Sequence, residues 1–241
     1  MVKKRERLKY GERVKTGISI FDEITNGGFK RNSINLIAGG AGSGKTVFAL
    51  QYLINGCIKF DESGLYLTFE EKKEKVYDDV LSFGWDLLKL EKEKKFFFLE
   101  YTPEQVKKVL VEGGGIIEAI IERNDIKRIV IDSISSFALL YQDELTKKEA
   151  SLALFELMNK WNCTAVMTAQ SEEVGISSDS ITGALGFEAD SIILLYHFKR
   201  KGTRNRALEI LKMRGVKYME KIFNMKIGDK GIEVSKQIVD V

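Results

Sequence analysis

The chain has 241 residues, 44% of them hydrophobic, with 38 basic against 35 acidic side chains. That composition supports a buried core, and a net charge of +3 is too small to argue by itself for a nucleic-acid or membrane partner. Cys57 and Cys163 stand far apart, outside any CxxC spacing, and no apolar run has the length of a membrane helix.

One compact α/β domain over residues 1–241 is expected, with a basic N-terminal arm at 1–15. The arm, MVKKRERLKYGERVKTG, has no apolar stretch behind it as a secretory signal would. The two cysteines read as buried structural thiols of a reducing cytoplasm.

In chain order, INLIA (Ile34 to Ala38) is predicted as a strand, followed by a helix over VFALQYLINGCIKF. GLYLTF (Gly64 to Phe69) is the next strand, followed by a charged helix to about Leu81. KFFFLE follows, then a helix from about Pro103 to Arg123. RIVID (Arg128 to Asp132) is a strand, TKKEASLALFELMNKWN a helix, and TAVMTAQ (Thr164 to Gln170) a strand. Short continuous apolar strands between helices indicate a parallel sheet covered on both faces. Then DSIILLYHF and RALEILKMRG flank the basic turn KRKGTRN, and IFNMKIG and GIEV follow without a helix between them. This pattern predicts a β meander closing one edge of the sheet.

GGAGSGKT supplies Gly39, Gly40, Ala41, Gly42, Ser43, Gly44, Lys45 and Thr46, and Val47 continues into the helix. The spacing is G-x-x-x-x-G-K-[ST], between a predicted strand and a predicted helix, as a phosphate-binding loop requires. Glycines let successive N–H groups turn inward around a phosphate, and the helix N-terminus adds partial positive charge. Lys45 is expected to reach the β- and γ-phosphates of ATP, and Thr46 to ligate Mg²⁺. Asp132 ends an apolar strand, as a Walker B aspartate does, and is expected to hold the Mg²⁺ through water.

Glu70 and Glu71 end the strand after the loop helix. Ligands of parallel α/β sheets bind at the carboxyl ends of strands, so a carboxylate there is placed to polarise a water attacking the γ-phosphate. Glu71 equally fits a solvated helix N-terminus. Gln170 ends another strand beside the expected γ-phosphate, either sensing it or capping the strand. His197 reads as a core or edge histidine.

With these residues the chain resembles the KaiC branch of the RecA-type ATPases, from TGISIFDEITNGGF to KMRGVKY. The opening matches a TG…D…GG lead-in at Thr16, Gly17, Phe21, Asp22, Gly27 and Gly28. The resemblance implies a RecA-like P-loop core, a catalytic pair at Glu70 and Glu71, and a nucleotide contact in SFGWDL at Ser82. It implies that Lys212 and Arg214, with Arg206 a weaker candidate, reach a neighbouring subunit's nucleotide. It also implies a homohexameric ring with ATP between subunits. Some positions depart from the family: FKRNS lacks the usual Pro and Gly, and Tyr218 replaces a histidine. Gly186 and Phe187 stand where a phosphorylated domain has Ser and Thr, so autophosphorylation is not expected.

The main expectation is therefore a slow, ring-forming, Mg-dependent ATPase acting as a switch. The alternatives are a nucleic-acid-dependent recombinase or helicase relative, and a scaffold that holds ATP without turnover. The segment Ser171 to Ser191 has no Lys or Arg but carries Glu172, Glu173, Asp179, Glu188 and Asp190. It is a poor site for nucleic-acid phosphates. The basic clusters at 3–9 and 199–206 read mainly as solvated surface.

Overall fold

The computed structural model describes residues 11–112, 115–138, 140–141, 143–170 and 186–240. The basic cluster at 3–9, and Glu172, Glu173 and Asp179, lie outside the described residues.

Among the described residues, nine strands form one sheet. Its parallel part comprises β3 (Ile34–Gly39), β4 (Gly64–Thr68), β5 (Phe96–Glu100), β6 (Arg128–Asp132), β7 (Thr164–Gln170) and β8 (Ser191–Arg200). Strands β9 (Thr203–Met213), β10 (Ile222–Gly228) and β11 (Gly231–Ile238) add to β8 as an antiparallel meander. The order is β11-β10-β9-β8-β3-β7-β6-β4-β5, so β3 lies inside the sheet between β7 and β8. Every residue of β3, β4 and β6 is buried, as parallel strands covered on both faces require. The Lys201–Gly202 turn has φ of +47° and +82° between the paired residues Arg200 and Thr203. Positive φ at both central positions is the two-residue hairpin geometry that matches strand twist.

Strand alternation splits the core into two layers. Ile37, Tyr66, Val130, Val166 and Ile193 face helices α2 (Lys45–Lys59), α3 (Lys73–Leu81) and α4 (Leu87–Lys92). Leu36, Leu65, Ile131, Met167 and Ile192 face α6 (Gly115–Arg123) and α8 (Glu144–Trp161). Helix α2 is buried on nearly every side from Phe48 to Cys57, because the sheet and β11 enclose it. Helix α8 starts where Asp143 accepts the Thr146 N–H at 2.8 Å and ends at Asn162, whose φ is +55°.

The helix expected over 103–123 is two segments, α5 (Pro103–Glu112) and α6, with Gly115 at φ +30° opening the second. Helix α1 (Ser19–Ile24) and the paired strands β1 (Arg13–Val14) and β2 (Phe29–Lys30) are too short to show a period in the sequence. The end of the expected arm is thus paired strand. Burial pushes the Cys57 thiol up to about 11 and the Cys163 thiol to about 12, so both stay protonated and structural.

The TG…D…GG lead-in proves to be a fold element. The Asp22 carboxylate accepts the Thr16 and Gly17 N–H groups at 2.7 and 2.9 Å, and the Thr16 hydroxyl at 2.7 Å. Asn55 of α2 donates to the Thr16 carbonyl at 3.0 Å. A Cβ on Gly28 would lie 2.2 Å from the Val14 carbonyl oxygen, so the turn admits glycine alone.

Beneath the sheet, Arg128 is a fully buried cation at the first position of β6. Glu62 meets it at 2.6 Å and also pairs with Arg31 at 3.0 Å. The Tyr52 carbonyl accepts from Arg128 at 3.0 Å, and the Tyr52 and Phe60 rings lie 4.7 and 5.1 Å from the guanidinium carbon. Removing one partner of a buried pair leaves an uncompensated charge, at a cost of about 3–5 kcal/mol. An exposed pair such as Lys75–Glu71 contributes under about 1 kcal/mol. Glu62→Ala is therefore expected to lower the urea-unfolding free energy by about 3 kcal/mol, and Lys75→Ala by less than about 1 kcal/mol. Equal losses would contradict this assignment.

Candidate nucleotide site

The phosphate-loop segment runs from the last residue of β3 into α2. Gly44, at φ +105°, is the N-cap, and Phe48 N–H closes the first turn on its carbonyl at 2.9 Å. Gly39 admits no side chain: a Cβ there would sit 2.2 Å from the Leu195 carbonyl oxygen. Lys45 Nζ donates to the Gly39 and Gly40 carbonyls, at 2.9 Å each, across the mouth of the loop. Ser43 is fully buried, and its hydroxyl has no hydrogen-bond partner among the described residues.

Parallel pairing brings the other groups to the same rim. Thr68 faces Asp132 across the β4–β6 ladder, and Gly39 faces Gln170 across the β3–β7 ladder. Asp132 is buried between two flanking strands. One carboxylate oxygen accepts the Tyr66 hydroxyl at 2.7 Å, and the other accepts the Thr168 hydroxyl. Burial beside Asp132 holds the Tyr66 hydroxyl well above its ordinary value, so it remains a donor. Burial lowers the Lys45 ammonium, while Asp132 and Glu70 act in the opposite direction through charge. The three groups therefore share one electrostatic site.

The two glutamates part company. Both backbone N–H groups fold onto the Thr68 hydroxyl, at 3.2 and 3.1 Å. Glu70 Oε1 then accepts the Ser133 hydroxyl at 2.7 Å, and the Ser136 hydroxyl as well. Glu71 turns outward and pairs with Lys75 at 2.6 Å, one helical turn on. Gln170 is tied to the site by its backbone, its N–H reaching the Ser135 hydroxyl at 2.8 Å. The sequence carries no signal that marks Tyr66, Thr168, Ser133 or Ser136. A lone hydroxyl residue carries no period or spacing signal; Tyr66 and Thr168 join the site from strands flanking β6, and Ser133 and Ser136 from the segment that follows β6.

Ser82 and Arg206, two further candidates, differ in position. Ser82 follows α3 and donates to the Asp79 carbonyl at 2.9 Å. No hydrogen bond among the described residues ties it to the loop. Arg206 lies on its own chain's loop, donating to the Gly42 carbonyl at 2.9 Å.

Lys212 and Arg214 sit at the opposite end of the sheet. Lys212 Nζ reaches the Gly186 and Phe187 carbonyls at 2.8 and 3.1 Å, and Arg214 reaches the Phe187 carbonyl at 2.5 Å. Met213 faces Ser191, which faces Asn35, and about 13 Å of strand separates Asn35 from Gly39. Neither cation is placed to serve the phosphate loop of its own chain.

Thr46 and Asp132 offer hard oxygen donors beside a phosphate loop. One or two such protein oxygens plus phosphate oxygens are what Mg²⁺ takes. Among the described residues, no helix is long and apolar enough to cross a membrane.

The family model described as "ATPase: KaiC" matches residues 14–238. The circadian clock oscillator protein KaiC of Synechococcus elongatus is 34% identical over 230 residues, covering 92% of this chain and 44% of that protein. The KaiC of Parathermosynechococcus lividus is 32% identical over 227 residues, covering 91% and 41%. The chain thus spans under half the length of these relatives. A crystal structure of a KaiC-like protein from the hyperthermophilic archaeon Pyrococcus horikoshii superposes with a TM-score of 0.81 at 32% identity. It covers 93% of this chain and 99% of that one. The fold, the phosphate-loop motif and these matches agree: the chain belongs to the KaiC family of ATPase domains.

Proposed function

We propose that the chain binds Mg·ATP at the Gly39–Thr46 loop, hydrolyses it slowly, and assembles into a hexameric ring whose neighbours complete each site. The observation that carries this reading is the convergence of Lys45, Asp132 and Glu70 on one rim of the sheet. Loop amides, the N-terminus of α2 and Lys45 bind the β- and γ-phosphates. Thr46 and Asp132 would hold Mg²⁺, which when bound neutralises charge on the phosphoryl oxygens. Glu70 orients the attacking water and takes its proton, with Ser133 and Ser136 fixing one carboxylate oxygen and leaving the other for the water. Glu71, paired with Lys75, supports the turn that aims its neighbour.

Turnover is slow in this reading because several cations must change partners. Lys45 has to leave the Gly39 and Gly40 carbonyls, and Lys212 and Arg214 those of Gly186 and Phe187. The position of the last two, far from their own loop, supports a role at the site of a second copy. A guanidinium supplied across an interface adds about 10³–10⁵ in rate in well-studied phosphoryl transfers. The relatives are named clock oscillator proteins; for this chain the proposal is a switch-like ATPase in the cytoplasm.

Lys45→Ala is expected to abolish binding of Mg·ATP. Glu70→Gln should bind it and lose about 10²–10⁴ in hydrolysis, the range for a general base. Glu71→Gln should keep most of the activity, and intact mass after incubation should show no retained phosphate. Undiminished turnover in both the Lys45 and Glu70 variants would overturn the assignment.

Arg214→Ala should bind ATP and hydrolyse it poorly. Mixing it with Glu70→Gln should restore activity, since some interfaces in a mixed ring carry intact Glu70 on one side and intact Arg214 on the other. A mixture that exchanges subunits and stays inactive would remove Arg214 from the neighbouring site.

A further inference from the structure

Strands β8 and β9 run past the phosphate loop and touch it from outside. His197 and Arg206 face each other across this ribbon. Arg206 Nε donates to the Gly42 carbonyl at 2.9 Å, and His197 Nδ1 lies 3.3 Å from the Ala41 carbonyl. A carbonyl can only accept, so this second contact is a hydrogen bond in the tautomer that carries its proton on Nδ1. The imidazole also packs against Gly42, where a Cβ would come within 3.1 Å of Nδ1.

Each of these carbonyls is one end of a rigid peptide plane. The other end of the Ala41 carbonyl's plane is the Gly42 N–H, and that of the Gly42 carbonyl's plane is the Ser43 N–H. The Ser43 N–H points to the Gly40 carbonyl at 3.3 Å, the same oxygen that receives Lys45 Nζ. It therefore faces the lysine side of the loop while the Gly42 carbonyl faces Arg206. Fixing the outer oxygen fixes the direction of the inner N–H, and inward N–H groups are what a phosphate meets.

We infer that His197 and Arg206 are positioning residues that clamp the outer carbonyls of Ala41 and Gly42, and so aim the Gly42 and Ser43 amides at the phosphates of a bound nucleotide. This clamp presupposes the nucleotide site proposed above and adds two residues that need never touch the nucleotide. A bland alternative is that Arg206 merely adds positive charge to the rim. Lys199 and Arg204 separate the two ideas. They face each other two residues further along the same side of the ribbon, are exposed, and make no ion pair among the described residues.

The test combines hydrogen exchange of the full chain without nucleotide and titration with ADP. Arg206→Ala is expected to speed exchange of the 39–46 amides and weaken ADP binding, each by about tenfold, as loss of a charge-assisted hydrogen bond allows. Its thermal midpoint should stay at the wild-type value, and Arg206→Lys should recover most of both losses. His197→Ala should shift both readouts in the same direction by less. The double variant Lys199→Ala/Arg204→Ala should leave both within about twofold. Wild-type exchange and affinity in Arg206→Ala, or an equal loss in the double variant, would overturn the clamp. Should the wild-type chain bind no ADP, the nucleotide reading falls, and the exchange measurement still decides the clamp.

Discussion

Gly39 faces Gln170 on one side and Leu195 on the other, while two strands away Asp132 of β6 faces Thr68 of β4. These pairings belong to one continuous parallel register, and it delivers the phosphate loop, the Asp132 carboxylate and Glu70 to the same rim. Side chains alternate along a strand, so a slip of one residue would turn Asp132 away from Tyr66 and Thr168 and move Gly39 from the Leu195 carbonyl. The register is strongly specified because both faces of the sheet are buried. The pair Arg128–Glu62 adds a second constraint at the other end of β6, where a buried cation has its carboxylate on the β4 side of the sheet.

The same sheet also separates charges. The loop and its two carboxylates occupy the rim at the carboxyl ends of the parallel strands. Lys212 and Arg214 occupy the opposite end, on the antiparallel meander. Burial and the neighbouring Arg214 lower the Lys212 ammonium, so that side chain gains from an anion brought to it. That separation of a phosphate loop at one end from two converging cations at the other is what the proposed interfacial site rests on. The backbone carbonyls of Gly186 and Phe187 hold those two cations close together.

Much of this was legible in the sequence because it is local. The loop spacing, the continuous apolar strands and the Asp at the end of RIVID are each read within a few residues, and the meander announces itself by lacking helices. Glu70 and Glu71 show where local reading stops. Alternation along a strand says that two neighbours differ in direction, but which one faces the site depends on Ser133 and Ser136, more than sixty positions away. The family likeness alone points to Arg206 as a weaker candidate for a neighbour's nucleotide. Local reading does not show that the antiparallel register also brings it to the Gly42 carbonyl of its own chain. The lead-in Thr16–Gly17–Asp22 carried a family likeness whose cause is structural, a carboxylate gathering backbone N–H groups beneath α2.

The central claim is that the nucleotide site spans two copies of this chain, with phosphates on one and Lys212 and Arg214 on the next. The most direct measurement is the native mass of the particle with and without Mg·ATP, for the wild type and for Lys212→Ala/Arg214→Ala. The account expects a closed ring of six chains in Mg·ATP for the wild type, and a ring that nucleotide no longer stabilises in the double variant. A wild-type chain that binds Mg·ATP and stays monomeric would contradict it.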